Sequence, residues 1–77
     1  MRDLTLFILS YLVDNKDAVR VDEVEDENGA IQLTIHVDQT DMGKVIGKHG
    51  KIIRSLRDVI KIRAVKENKL VNIVLAE

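Results

Sequence analysis

Positive charge and backbone freedom coincide at one place in this chain. Gly47 and Gly50 stand three apart with Lys48 and His49 between them, and Lys44, Lys51 and Arg54 lie close on either side. Glycine accepts backbone angles that other residues resist, and it has no side chain to hold a ligand away. A Gly-x-x-Gly turn with cations at its tip therefore suits contact with a phosphodiester backbone. N–H groups left free at a helix start near Gly50 and Lys51 would add attraction for an anion. Lys48 is always charged near neutral pH, and His49 becomes charged below it.

Other chemistry is poorly supplied. Cysteine is absent, which excludes disulfides and thiolate metal sites. His36 and His49 are the only histidines and are not paired at ligand spacing, so no metal or cofactor is expected. No acid–base pair or nucleophile–histidine arrangement emerges, and the chain does not read as an enzyme. A nucleotide-binding phosphate loop is the nearest rival. However, Gly43-Lys44-Val45-Ile46-Gly47-Lys48-His49 has one residue too few between its glycines. It also puts His49 where Ser or Thr is required.

The elements that must position the turn follow from hydrophobic periodicity. A short helix is expected from Met42 to Ile46, stopped by the glycine turn. A longer amphipathic helix follows from Lys51 to about Lys66. Ile53, Leu56, Val59, Ile60 and either Arg63 or Ala64 form its inner stripe, and Lys51, Arg54, Arg57, Asp58 and Lys61 its outer face. Alternation in Ile60-Lys61-Ile62-Arg63 leaves its end open. Arg57, Lys61, Arg63, Lys66 and Lys69 read as a solvated face. Earlier in the chain, Asp3 can cap a first helix with Leu4, Phe7, Ile8, Tyr11 and Leu12 on its stripe. Phe7 and Tyr11, the only aromatics, are read as core. Residues 18–25 read as a strand in which Val24 breaks the phase, pointing to a bulge or an early end. Asp26-Glu27-Asn28-Gly29 reads as a hairpin turn with positive φ at Asn-Gly. Residues 30–37 are the clearest strand: Ile31, Leu33, Ile35 and Val37 face one way, Gln32, Thr34 and His36 the other. His36 reads as a solvated strand residue. Asp38-Gln39-Thr40-Asp41 is a loop with a helix cap at Thr40 or Asp41. A last strand spans Leu70 to Ala76, with Val71, Ile73 and Leu75 in phase.

Seventy-seven residues make one small domain, residues 1–77. So short a chain buries a modest core, which favours oligomers. No run reaches transmembrane length. The net charge of −1 hides a segregation. Residues 1–41 hold three cations against ten acids, a charge of −7, whereas residues 42–69 hold nine cations against two acids, a charge of +7. A basic face on part of the molecule follows.

At this point a resemblance becomes specific. Val45-Ile46-Gly47-Lys48-His49-Gly50-Lys51-Ile52-Ile53 resembles the V-I-G-x-x-G-x-x-I signature of KH domains. The order α-β-β-α-α-β resembles their type II arrangement, an α+β fold with a three-stranded mixed sheet and three helices packed on one face. Asp41-x-Gly43-Lys44 leading into the signature resembles the bacterial KhpA family, over essentially all residues. The resemblance implies binding of single-stranded RNA, a cytoplasmic location and homodimers. It also implies heterodimers with a larger KhpB (Jag/EloR) type protein, and a post-transcriptional or RNA-chaperone role linked to cell elongation and division. In the KH mode a Gly-x-x-Gly loop clamps the backbone of about four nucleotides. Residues expected at the RNA are Lys44, Val45, Ile46, Gly47, Lys48, His49, Gly50, Lys51, Ile53 and Arg54. Bases would cross an apolar groove between the two helices and the middle strand. Val45, Ile46, Ile53 and Ile35 either line that groove or belong to the core. Two other readings stay open: an assembly module that uses the same fold for protein contacts, and binding of single-stranded DNA.

Overall fold

In a computed structural model that describes residues 1–76, the elements follow the expected order. They are α1 (Arg2–Leu12), β1 (Arg20–Glu25), β2 (Ile31–His36), α2 (Met42–Ile46), α3 (Lys51–Lys66) and β3 (Val71–Leu75). Short 3₁₀ turns occupy Lys16–Ala18, Gln39–Asp41 and Lys48–Gly50. The sheet order is β1-β2-β3. β1 pairs antiparallel with β2 from Arg20↔His36 to Glu25↔Ile31, and β2 runs parallel to β3 from Ile31↔Val71 to Ile35↔Leu75. The antiparallel pair needs only a hairpin, whereas the parallel pair needs the long α2–α3 crossover. The turn lies within that crossover.

Period-2 alternation sorts the sheet into two faces. Val21, Ile31, Leu33, Ile35 and Ile73 point inward, where Leu9 of α1, Val45 of α2 and Ile53, Leu56 and Ile60 of α3 close over them as one cluster. The open face carries Arg20, Asp22, Gln32, Thr34, His36 and Asn72, all half-buried or exposed. His36 is not a free strand residue there: its Nε2 lies 3.0 Å from Asp22 Oδ2 and 3.2 Å from Arg20 Nη2.

Several local expectations need correction. Phe7 and Tyr11 are 60% and 77% exposed, not core. Their rings meet edge-to-face at 5.2 Å on the outer side of α1. The buried side of α1 is instead Thr5, Leu9 and Val13. Thr5 can occupy an apolar position because its Oγ1 donates to the Met1 carbonyl at 2.8 Å. Val59 likewise stays half out of the core at 46% exposure, and Ala64 closes the inner stripe of α3. Val24 makes no bulge. The β1–β2 register is continuous and Val24 simply takes an open-face position. In the hairpin only Gly29 has positive φ, at 83°, and Asp26 Oδ1 accepts from the N–H groups of Asn28 and Ala30. Asp3 lies inside the first turn of α1 rather than before it. There it favours the helix dipole without capping.

The expected cap of α2 is also built differently. Asp38 makes the side-chain cap of the 3₁₀ turn Gln39–Asp41 that leads into α2, accepting from the Thr40 N–H at 3.0 Å. Asp41 stands at the first position before α2 but makes no cap bond to it. Among the described residues no helix is long and apolar enough to cross a membrane.

Candidate nucleic-acid interface

The turn between α2 and α3 is built from left-handed backbone. Gly47 has φ 75° and ψ 172°, His49 φ 57° and ψ 25°, and Gly50 φ 73° and ψ 17°. Gly47 donates its N–H to the Gly43 carbonyl at 2.9 Å and so ends α2. Gly50 donates to the Gly47 carbonyl at 3.1 Å, and Lys51 donates to the Lys48 carbonyl. The N–H groups expected to be free at Gly50 and Lys51 are therefore already spent. Those without a partner among the described residues belong to Lys48 and His49, at the tip. The donor groups open to an anion have moved two residues toward the N-terminus, because a 3₁₀ turn precedes α3.

The two glycines serve different ends. A Cβ on Gly47 would lie 2.4 Å from Ile52 Cγ1 and 2.7 Å from Ile52 Cβ. Its bare backbone is covered by Ile52, so closeness to a ligand is not why glycine is needed there. A Cβ on Gly50 would meet nothing within 4 Å. Gly50 is the glycine whose backbone faces open space. Ile52 was not among the expected site residues; its signal was its place two residues past the turn, next to an apolar neighbour that filled the core instead.

The cations sort into free and committed. Lys48, His49, Lys51 and Arg54 are exposed and make no ion pair among the described residues. Lys44 differs. Its ammonium pairs with the Asp14 carboxylate and lies 3.8 Å from Asp41 Oδ1. The hydrogen bond to Asp14 holds its pKa above the usual lysine value. Of the apolar residues expected near RNA, Val45 and Ile35 are wholly buried and Ile53 nearly so. Ile46, 36% exposed, is the one that reaches the surface. The open space near α2 is a cavity of about 420 Å³ lined by His36, Val37, Gln39, Met42 and Ala76. It lies where β2 and β3 end beside the start of α2, and it includes none of the four expected lining residues.

One positioning residue was missed. Asp41 is 1% exposed. Its carboxylate accepts from the backbone N–H of Asp14 at 3.1 Å and of Asn15 at 3.0 Å, just past the end of α1. Those N–H bonds, Asn15 first, hold its pKa below the usual carboxylate range, with Lys44 adding to the effect. Asp41 thus fastens the end of α1 to the start of α2, one short helix away from the turn. Spacing alone could not show this, because an acid before a helix reads as a cap. Among the described residues no cluster of acids and histidines could hold a metal ion.

No solved structure matches the chain significantly. The chain is 51% identical over 71 residues to a protein of Clostridium acetobutylicum named RNA-binding protein KhpA, covering 92% of this chain and 93% of that one. A protein of the same name from Clostridium perfringens is 46% identical with the same coverage. Another from Aquifex aeolicus is 39% identical over 77 residues, 100% of this chain and 96% of that one. A family model described as KhpA/KhpB, KH domain, matches residues 2–75. Signature, element order and sheet topology converge with these matches, and the chain belongs to the KhpA/KhpB family of KH domains.

Proposed function

We propose that this protein binds single-stranded RNA by clamping its backbone at the Gly47–Gly50 turn. The observation that carries this reading is the tip itself. Two N–H groups and three cations without partners among the described residues, Lys48, Lys51 and Arg54, together with the exposed His49, surround a left-handed turn. A phosphate seated there meets donors that need no reorganisation, in the manner of a backbone nest. The relatives' names support RNA as the ligand. Little aromatic stacking is available near the turn, since Phe7 and Tyr11 lie on α1, so selectivity among sequences is low. With about three phosphates neutralised, the log–log salt slope for a single strand is about −2.

The test exchanges Lys48 and His49 for Asp and measures binding of short RNA oligomers at several salt concentrations. Affinity should collapse while the far-ultraviolet circular dichroism spectrum stays unchanged. Full binding by the double variant would remove the clamp from consideration. A parallel titration with DNA of the same sequence separates RNA from DNA binding, because a phosphate clamp alone does not sense the 2′-OH.

A specific observation also favours the assembly reading. Phe7 and Tyr11 of α1, with Ile52, Val59 and Ile62 of α3, are exposed apolar side chains. Between them runs a groove of about 290 Å³ lined by Ile8, Leu12, Ile52, Leu56 and Val59 together with Lys51 and Ser55. We propose that a second copy covers this face, giving a cytoplasmic homodimer with two clamps. The KH domain of a KhpB-type protein would fit the same face. Two clamps on one strand raise avidity without new contacts. The resemblance supports placing such a dimer in post-transcriptional control or RNA chaperoning linked to cell elongation and division.

A further inference from the structure

The clamp accounts for the cations at the turn but not for those farther along α3. Arg57, Lys61 and Lys66 are exposed and make no ion pair among the described residues. By contrast Arg63 is bound to Glu67 at 2.8 Å and Lys69 to Glu25 at 2.7 Å. Helical spacing puts Arg54, Arg57 and Lys61 on one flank. Ile52, Val59 and Ile62 occupy the opposite flank, toward α1. Asp58 is the sole acid within this stretch and pairs with none of these cations within 4 Å. The row from Arg54 to Lys61 is about 10 Å long. At its far end Lys61 borders a hollow of about 290 Å³ lined also by Ala64, Val65, Lys69, Leu70 and Val71. Val65 and Leu70 there are 74% and 77% exposed.

We infer that RNA leaving the clamp continues along this flank of α3, its phosphates on Arg54, Arg57 and Lys61 and a base seated on Val65 and Leu70. This rests on the clamp reading and extends it: the footprint exceeds the roughly four nucleotides that a Gly-x-x-Gly loop holds. Charge complementarity selects the occupant. Uncompensated guanidinium and ammonium groups in a row that begins at a phosphate site favour a polyanion over a protein segment. The apolar seat accepts any base face, so the extension adds affinity without sequence preference.

The experiment compares uridine oligomers of four and eight nucleotides, with wild type and an R57Q/K61Q variant, by fluorescence anisotropy at several salt concentrations. The wild type should bind the octamer more tightly than the tetramer, with a salt slope steeper by about 1.4 for two added phosphates. The variant should bind the tetramer as wild type does, yet lose about tenfold on the octamer together with the extra slope. An Asp58→Asn variant should move the other way, gaining on the octamer alone, which loss of folding cannot mimic. An octamer slope equal to the tetramer slope in wild type, or an unchanged octamer affinity in R57Q/K61Q, would overturn the extended footprint while leaving the clamp standing. Failure of the wild type to bind even the tetramer would instead refute the clamp.

Discussion

Gly47 and Gly50 look interchangeable in the sequence, and the structure separates them. At Gly47 an alanine must take φ 75° and also push against the Cβ and Cγ1 of Ile52. Ile52 is β-branched and stiff at χ1, so it cannot swing aside cheaply. Gly47→Ala should therefore cost about 1–3 kcal/mol from overpacking, on top of the backbone penalty. Gly50→Ala carries the backbone penalty alone, about 1–2 kcal/mol. Urea denaturation of both variants checks the order, and equal midpoints would contradict the packing role of Ile52. RNA binding should show the reverse order per unit of stability lost, because only the Gly50 methyl projects into open space. The pattern V-I-G-x-x-G announced the turn. It could not announce that one glycine faces open space and the other an isoleucine five residues on.

At the scale of elements, α2 is too short to hold itself in place, with only five residues. It is secured by Val45 in the core and by Asp41, whose carboxylate receives the N–H groups that follow α1. The pKa of Asp41 is lowered in the folded state by those N–H bonds. A depressed carboxylate contributes stability that is present above its unfolded pKa, near 3.8, and is lost as pH falls through the folded value. Asp41→Asn should lower stability at neutral pH and flatten the acid limb of a stability–pH curve. Thermal melts between pH 7 and pH 2 read both effects. Asp38→Asn is the control, since the Asp38 carboxyl is also lowered, by Thr40 and Asn15, but lies on the surface side of the loop. An acid limb unchanged in the Asp41 variant would show that this carboxylate does not fasten α1 to α2. The six elements themselves were readable because most of their apolar periods are local and regular, even where Val24 broke the phase of β1 and Phe7 misplaced the inner face of α1. The fastening was not, because it joins residues 26 and 27 apart in the chain.

Over the whole molecule the segregation of charge becomes partial neutralisation. Lys44 reaches Asp14, and Lys69 reaches Glu25, so each cation ends on the acidic half. The cations of the turn and of one flank of α3 make no ion pair among the described residues. The other flank, with α1, is mostly apolar, with Lys51 and Ser55 among its groove residues, and Phe7 and Tyr11 are exposed on α1 rather than in the core. Exposed apolar surface of this kind marks an interaction site. Sedimentation equilibrium should give twice the chain mass for wild type, and a Tyr11→Ser, Val59→Asp variant should sediment as a monomer. The variant should keep its affinity for a tetramer of RNA while losing avidity on a long strand. A wild type that stays monomeric at high concentration would leave the apolar face without its proposed occupant.

By itself the sequence determined the α+β class, the order of elements and the place of the turn, because period and glycine spacing are local properties. It also determined that charge is divided between two halves of the chain. Only the tertiary structure decided which face of α1 is buried, which cations remain free, and which N–H groups at the turn are open. Those outcomes depend on partners distant in the chain. Val13 and Thr5 turn inward where Phe7 turns out, Asp14 claims Lys44, and a 3₁₀ turn consumes donors that an ordinary helix start would leave free.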